Sequence, residues 1–217
     1  MAESATATAL AHQFDDLEQQ REAGYLGMWT FLVTEILFFG GIFTGYTAYR
    51  ALYPEAFAIG SHHLDYWLGT INTAVLILSS LTMALAVHAS QLGRRRSLIG
   101  FLAATMTLGT AFLVVKWFEY AHKFEIGWIP GPDFAYRGPH APQVELFVSF
   151  YFALTGMHAL HMVVGLGILA VLLVQARRGR FSSEYHSPVV VSGLYWHFVD
   201  IVWIFLYPLL YLIGAHH

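Results

Sequence analysis

The sequence contains no cysteine among its 217 residues and few charged side chains. Without cysteine the chain forms no disulfide bond and offers neither a thiolate metal ligand nor a cysteine nucleophile. Asp, Glu, Lys and Arg account for 12% of the residues, whereas soluble domains carry about 25%. The net charge of −3 gives no indication of a nucleic-acid partner. Hydrophobic residues make up 57% and the mean hydropathy is +0.54, which is typical of a membrane protein.

Five long apolar runs predict five transmembrane helices, because a helix needs about 20 apolar residues to cross the hydrocarbon core. The predicted spans are roughly 25–49, 67–89, 98–120, 143–174 and 189–213. Residues 1–24 are polar and are predicted to form a tail, and residues 25–217 then form the membrane domain. The predicted fold class is an all-α integral membrane protein, a five-helix bundle.

The distribution of basic residues predicts the orientation of this bundle. Two connections, 90–97 and 175–188, carry three arginines each, and the other two carry only three basic residues between them. Because Lys and Arg concentrate in cytoplasmic loops, we expect a cytoplasmic N-terminus and a C-terminus on the outside. The tail also lacks the basic segment and short apolar segment of a signal peptide. The same arginines could hold lipid phosphates, and topology alone explains them equally well.

Ionisable side chains inside the apolar runs are the functional clue. A charge near the bilayer centre costs roughly 2.5 to 3.5 kcal/mol on insertion scales, so such residues usually face a protein interior, a cavity or a partner. Glu35 lies near the middle of the first predicted helix. It either exchanges a proton in a cavity or forms a hydrogen bond that joins two helices.

Two histidines lie on one face of the fourth predicted helix. His158 and His161 are three residues apart. They could ligate a metal or form a structural polar layer between helices. Two residues on one face of one helix cannot be opposite axial ligands of the same haem, so a haem would need another histidine, for instance His197.

The remaining candidates form three short-spaced pairs. His197 and Asp200 are three residues apart in the fifth helix, where the carboxyl could fix the tautomer of the imidazole. Lys116 and Glu119 have the same spacing and predict an ion pair near the outer surface, with Lys116 extending outward. Glu119 and His122 form a single Glu-x-x-His, whereas di-iron bundles use two. Composition and spacing alone do not choose among a transporter, an enzyme and an accessory subunit.

Four segments, taken together and in this order, resemble subunit III of the haem–copper cytochrome c oxidases. They are GMWTFLVTEILFF, WFEY, FYFALTGMHALHMVVG and YWHFVDIVWIFLY. Mitochondrial-type members have seven helices, and this chain lacks a counterpart of the first two. It therefore resembles the five-helix form of bacterial oxidases, which implies the bacterial cytoplasmic (inner) membrane. The glutamate in the first helix favours the cytochrome c oxidases over the quinol oxidases.

The resemblance implies a non-catalytic subunit of an aa3- or caa3-type oxidase, a complex that reduces oxygen to water and pumps protons. Haem a, haem a3 and copper would reside in subunits I and II, and this chain would hold no cofactor except structural phospholipid. It would pack against subunit I, together with subunit II and a small subunit IV, in a complex that takes electrons from cytochrome c. It would stabilise subunit I and support its proton uptake.

By position, the resemblance also assigns residues. The buried polar and proton-related residues would be Glu35, Glu119, His158, His161, His197 and Asp200. The lipid headgroup contacts would be Arg178, Arg180 and His186. The alternatives are the third subunit of a quinol oxidase or a nitric oxide reductase, an independent proton-coupled transporter, and a membrane haem protein ligated by His158 and His197.

Overall fold

The computed structural model describes residues 12–213, and these residues form α-helices without any strand. The helices are α1 (Leu17–Leu52), α2 (Pro54–His62), α3 (Tyr66–Gln91), α4 (Arg95–Glu125), α5 (Ala141–Arg177) and α6 (Ser187–Tyr211). All except the nine-residue α2 are long and apolar enough to cross a membrane, so five spans are present in the described range. The predicted all-α membrane fold is confirmed.

The first helix begins earlier than its apolar run. Asp16 caps α1, because its side chain accepts a hydrogen bond of 2.8 Å from the backbone N–H of Gln19. Glu18 in the first turn further favours helix at the N-terminal end of the helix dipole. Part of the predicted polar tail, from Leu17 onward, is therefore helical. The rest of that tail up to residue 11, and residues 214–217, lie outside the described residues.

Helix α6 lies at the centre of the bundle and α1 at its edge. Helix α6 packs against α1, α3 and α5, and α4 packs between α3 and α5. The most apolar stretch of α6 is 56% buried, whereas that of α1 is 11% buried. The core around α6 is built on Trp196 and Trp203, both of which have no exposed surface. Their indole N–H groups donate to Ser79 Oγ at 3.1 Å and Thr73 Oγ1 at 3.0 Å on α3.

Glycines let neighbouring helices approach the Trp196 ring closely. A Cβ atom at Gly109 of α4 would lie 2.7 Å from Cη2 of Trp196, and one at Gly165 of α5 would lie 3.0 Å from its Cε3. Neither position has room for a side chain, so the large indole and the two small residues together define how α4, α5 and α6 pack.

The two arginine-rich connections lie at the same end of the bundle. The side chain of Arg95 reaches the last carbonyl groups of α5, and a Cβ at Gly93 would lie 3.7 Å from the backbone N of Ser183. At the other end Lys123 Nζ donates to the carbonyl of His63. The predicted orientation requires both arginine-rich connections to lie at one end of the bundle, as they do. Which end faces the cytoplasm stays a prediction.

Candidate functional site

A buried ion pair lies in the second half of α4. Lys116 Nζ lies 2.9 Å from Glu119 Oε2, and the two residues are only 4% and 7% exposed. Their spacing of three residues places both side chains on one face of the helix. A charge pair removed from water requires hydrogen bonds for its remaining donors and acceptors.

Two tyrosines from neighbouring helices supply these hydrogen bonds. Lys116 Nζ also donates to the hydroxyl of Tyr151 on α5 at 3.1 Å and to that of Tyr211 on α6 at 2.9 Å. Both hydroxyls in turn donate to Glu119 Oε1, at 2.7 Å and 2.6 Å. The ammonium group thus uses its three N–H donors, and both carboxylate oxygens are occupied. This four-residue cluster, the tyrosine-capped ion pair, joins α4, α5 and α6.

Aromatic rings enclose the ammonium group of this cluster. Lys116 Nζ lies between 5.0 and 5.6 Å from the ring centroids of Tyr120, Tyr151, Trp203 and Tyr211. Such faces attract a cation and add about 0.5 to 2 kcal/mol each.

The predicted ion pair therefore forms, but the expectation that Lys116 extends outward is wrong. Three acceptors inside the bundle hold the ammonium more strongly than a partly hydrated outer position would.

Glu35 and His161 form a second polar pair, between α1 and α5. Glu35 Oε2 lies 3.2 Å from His161 Nε2, with side-chain exposures of 19% and 13%. His161 Nδ1 lies 2.8 Å from the carbonyl oxygen of Met157, which can only accept, so this nitrogen carries a proton. The contact between Nε2 and the carboxyl then needs one more proton. The pair therefore joins α1 and α5 by a hydrogen bond near the middle of both helices.

His158 has different surroundings from its neighbour on the same helix. It is 1% exposed, and neither ring nitrogen has a hydrogen-bond partner among the described residues. Its ring centroid lies 5.5 Å from that of Phe112 and 5.1 Å from that of Trp203. His158 therefore faces α4 and α6, whereas His161 faces α1. No group of three or more His, Asp or Glu side chains with metal-binding spacing occurs in residues 12–213.

His197 and Asp200 do not form the predicted pair. His197 Nδ1 lies 2.8 Å from the hydroxyl of Ser80 on α3. Asp200 is 3% exposed, and neither of its carboxylate oxygens forms a hydrogen bond of ordinary geometry within residues 12–213, although the Ser80 hydroxyl is close enough to interact with this carboxyl. The two side chains share a helix face, but the imidazole is hydrogen-bonded to the Ser80 hydroxyl and not to the Asp200 carboxyl. His197 also lines an apolar groove of about 630 Å³ between α1 and α6.

The predicted lipid contacts are only partly brought together. Arg178 and Arg180 line a groove of about 350 Å³ along the last turns of α5, with Val171 and Val174 as its apolar wall. His186 does not line this groove; its Nδ1 lies 2.9 Å from the carbonyl of Ser183 just before α6.

Comparison with known proteins identifies the family of this membrane bundle. The family model for cytochrome c oxidase subunit III matches residues 15–215. The chain belongs to the cytochrome c oxidase subunit III family. It is 34% identical over 188 residues to cytochrome c oxidase subunit 3 of Synechocystis sp., covering 86% of this chain and 74% of that protein. It is also 34% identical over 195 residues to the proteins of that name from Cyprinus carpio and Gadus morhua, covering 87% of this chain and 69% of each of them.

Sequence reasoning about this subunit III family member missed the tyrosines. Tyr151 lies seven residues before His158, so the two share a helix face, and this spacing could have indicated Tyr151. Tyr211 lies at the last position of α6 and gives no comparable signal, because only the folding of the whole bundle brings it to Lys116.

Proposed function

We propose that this chain is the non-catalytic third subunit of an aa3- or caa3-type cytochrome c oxidase in the cytoplasmic membrane of a bacterium. The complex reduces oxygen to water with electrons from cytochrome c and pumps protons. Haem a, haem a3 and copper belong to subunits I and II, and subunits I, II and a small subunit IV are the partners. Membership of the subunit III family and the similarity to a cyanobacterial relative support this proposal.

The Glu35–His161 pair is the observation that supports a role in proton uptake. The carboxyl and the imidazole lie 3.2 Å apart, within hydrogen-bonding distance, so the two groups can share a proton. Its side chains keep some exposure on the outside of the chain, so a proton can exchange with a neighbouring subunit or with water. The tyrosine-capped ion pair is closed by internal hydrogen bonds and serves stability.

The groove beside Arg178 and Arg180 is the proposed site of a structural phospholipid. Guanidinium groups form bidentate hydrogen bonds with phosphate. The valines along the same face of α5 provide an apolar path for the acyl chains. We place the headgroup at the two arginines, whereas the imidazole of His186 is hydrogen-bonded to the carbonyl of Ser183.

The first test is co-purification. A tag on this chain should bring down a multi-subunit complex with haem a bands in its absorption spectrum, and the haem should leave with a larger partner when this chain is stripped off. Assays with reduced cytochrome c, a quinol and nitric oxide then identify the class of complex. A lone chain that transports protons or solutes in liposomes would contradict the proposal, and so would a lone chain with a Soret band.

The second test is Glu35→Gln. The complex should assemble, and its proton uptake or its inactivation during turnover should change mildly, because Gln cannot hold the shared proton. Glu22→Gln, an exposed glutamate on the same helix, is the matched control and should behave like the wild type. Complete loss of oxidase activity in an assembled Glu35→Gln complex would overturn the non-catalytic assignment.

A further inference from the structure

A second basic groove lies where α4 begins and α5 ends. It has a volume of about 590 Å³ and is lined by Arg94, Arg95, Arg96, Ser97, Ile99 and Arg177. It shares no lining residue with the groove beside Arg178 and Arg180. Four arginines therefore line one concave surface at the end of the membrane helices.

Arg95 joins the two helices that form the groove. Arg95 Nε donates to the carbonyl of Ala176 at 3.0 Å, and its Nη2 donates to the carbonyl of Arg177. These are among the last carbonyls of α5, which have no partner within the helix and carry its negative dipole end. Arg95 therefore fixes the start of α4 to the end of α5 and sets the spacing of the other arginines.

The other three arginines have no anionic partner within the described chain. No acidic residue lines the groove, and the first turn of α4 contains none. None of the ion pairs formed by residues 12–213 includes Arg94, Arg96 or Arg177. Positive charges that line one groove repel one another, and an anion between them lowers this repulsion. The α4 N-terminus adds to this potential, because no side chain caps its free N–H groups.

We propose that this groove binds the phosphate of an anionic phospholipid from the adjoining leaflet. Guanidinium groups match phosphate oxygens in bidentate geometry, and basic pockets between transmembrane helices bind anionic headgroups. Ile99 lies at the membrane side of the groove, where an acyl chain continues along the apolar surface of α4. A free phosphate ion would gain the charge contacts but not this apolar contact. The preference of arginine for cytoplasmic loops depends on charge alone, so it does not explain why four arginines line one groove.

The test measures lipid binding to the purified complex by native mass spectrometry. Delipidated complex is titrated with phosphatidylglycerol and, separately, with phosphatidylethanolamine. The combined variant Arg94→Gln, Arg96→Gln and Arg177→Gln should lose one bound phosphatidylglycerol, with affinity reduced about fivefold per arginine and about 100-fold together. Arg95 is left unchanged because it joins the two helices.

Matched variants identify the site. Arg21→Gln, an arginine near the same end of the bundle that pairs with Glu18 at 2.9 Å, should keep the lipid. The corresponding triple lysine variant keeps the charge and the topology but loses bidentate contacts, so it should bind with intermediate affinity. If the triple glutamine variant fails to assemble, the single variants Arg94→Gln and Arg177→Gln replace it, and unchanged phosphatidylglycerol affinity in both would refute the proposal.

Three results would overturn the assignment of this lipid to the groove. Loss of the lipid in the Arg178→Gln and Arg180→Gln variant, but not in the groove variant, would place it in the neighbouring groove. Displacement of the lipid by inorganic phosphate at equal concentration would show that the groove selects a free anion. Phosphatidylethanolamine binding as tight as phosphatidylglycerol binding would show that net anionic charge is not what the arginines recognise.

Discussion

Removal of the positive charge from the tyrosine-capped ion pair should be strongly destabilising. In Lys116→Met the Glu119 side chain, 6% exposed, keeps the hydrogen bonds from Tyr151 and Tyr211 but loses its counter-charge. Loss of one partner of a buried ion pair costs about 3 to 5 kcal/mol. For a chain of this length that corresponds to a fall of about 6 to 20 °C in the midpoint of thermal unfolding.

The double variant Lys116→Met and Glu119→Gln should recover most of this loss. It removes both charges, and the carboxamide oxygen of Gln can still accept from both tyrosines. We expect it to lie within about 1 kcal/mol of the wild type, because an uncharged replacement of a buried pair is often neutral. The difference between the single and double variants then measures how far the two charges depend on each other.

Thermal unfolding of the purified complex is the assay, with Lys123→Met as the matched control. Lys123 is also buried on α4, but its Nζ donates to a single backbone carbonyl and it is not hydrogen-bonded to Glu119. Its removal should cost about 1 to 3 kcal/mol. The reasoning fails if Lys116→Met is no more damaging than Lys123→Met. It also fails if the double variant is as unstable as the single one.

Three further changes test the packing and the helix ends by thermal unfolding. Gly109→Ala should lower the stability by about 1 to 3 kcal/mol, because its Cβ would lie 2.7 Å from Trp196. The control Gly100→Ala, whose Cβ would have nothing within 4 Å, should raise the stability by up to about 1 kcal/mol. Equal effects of the two substitutions would refute the packing argument. Ser79→Ala should cost about 1 to 3 kcal/mol because it removes the acceptor of the Trp196 indole N–H, and wild-type stability would show that another acceptor replaces it. Arg95→Gln should cost about 1 to 2 kcal/mol because it removes the guanidinium from the C-terminal end of α5, and an unchanged midpoint would show that these hydrogen bonds do not stabilise the fold.

The five spans could be predicted from sequence because bilayer thickness fixes the length of an apolar run. Their ends could not, since they depend on local hydrogen bonds such as the Asp16 cap, which extends α1 into a polar segment. The short helix α2 was not predicted either. It begins at Pro54, a residue suited to the first turn of a helix, within a connection too short for a span.

The polar residues were predictable in kind but not in partnership. The spacing of Lys116 and Glu119 predicted their ion pair, because residues three apart share a helix face. Its burial depended on Tyr211, which is 92 positions from Glu119 in the chain. Spacing also grouped His197 with Asp200, but in the structure the imidazole of His197 is hydrogen-bonded to Ser80 of another helix. Periodicity within one helix identifies a face, and only packing between helices identifies what that face meets.

The location of the Lys116–Glu119 pair within one helix has a consequence for biogenesis. A lone lysine or glutamate raises the free energy of insertion of a nascent helix by several kcal/mol. Here both ions belong to α4 and lie one helical turn apart, so they can neutralise each other while α4 is still leaving the translocon. The tyrosines of α5 and α6 are synthesised later, so their hydrogen bonds can form only after α4 carries both charges. The order of residues along the chain thus matches the order in which the charges need protection from lipid.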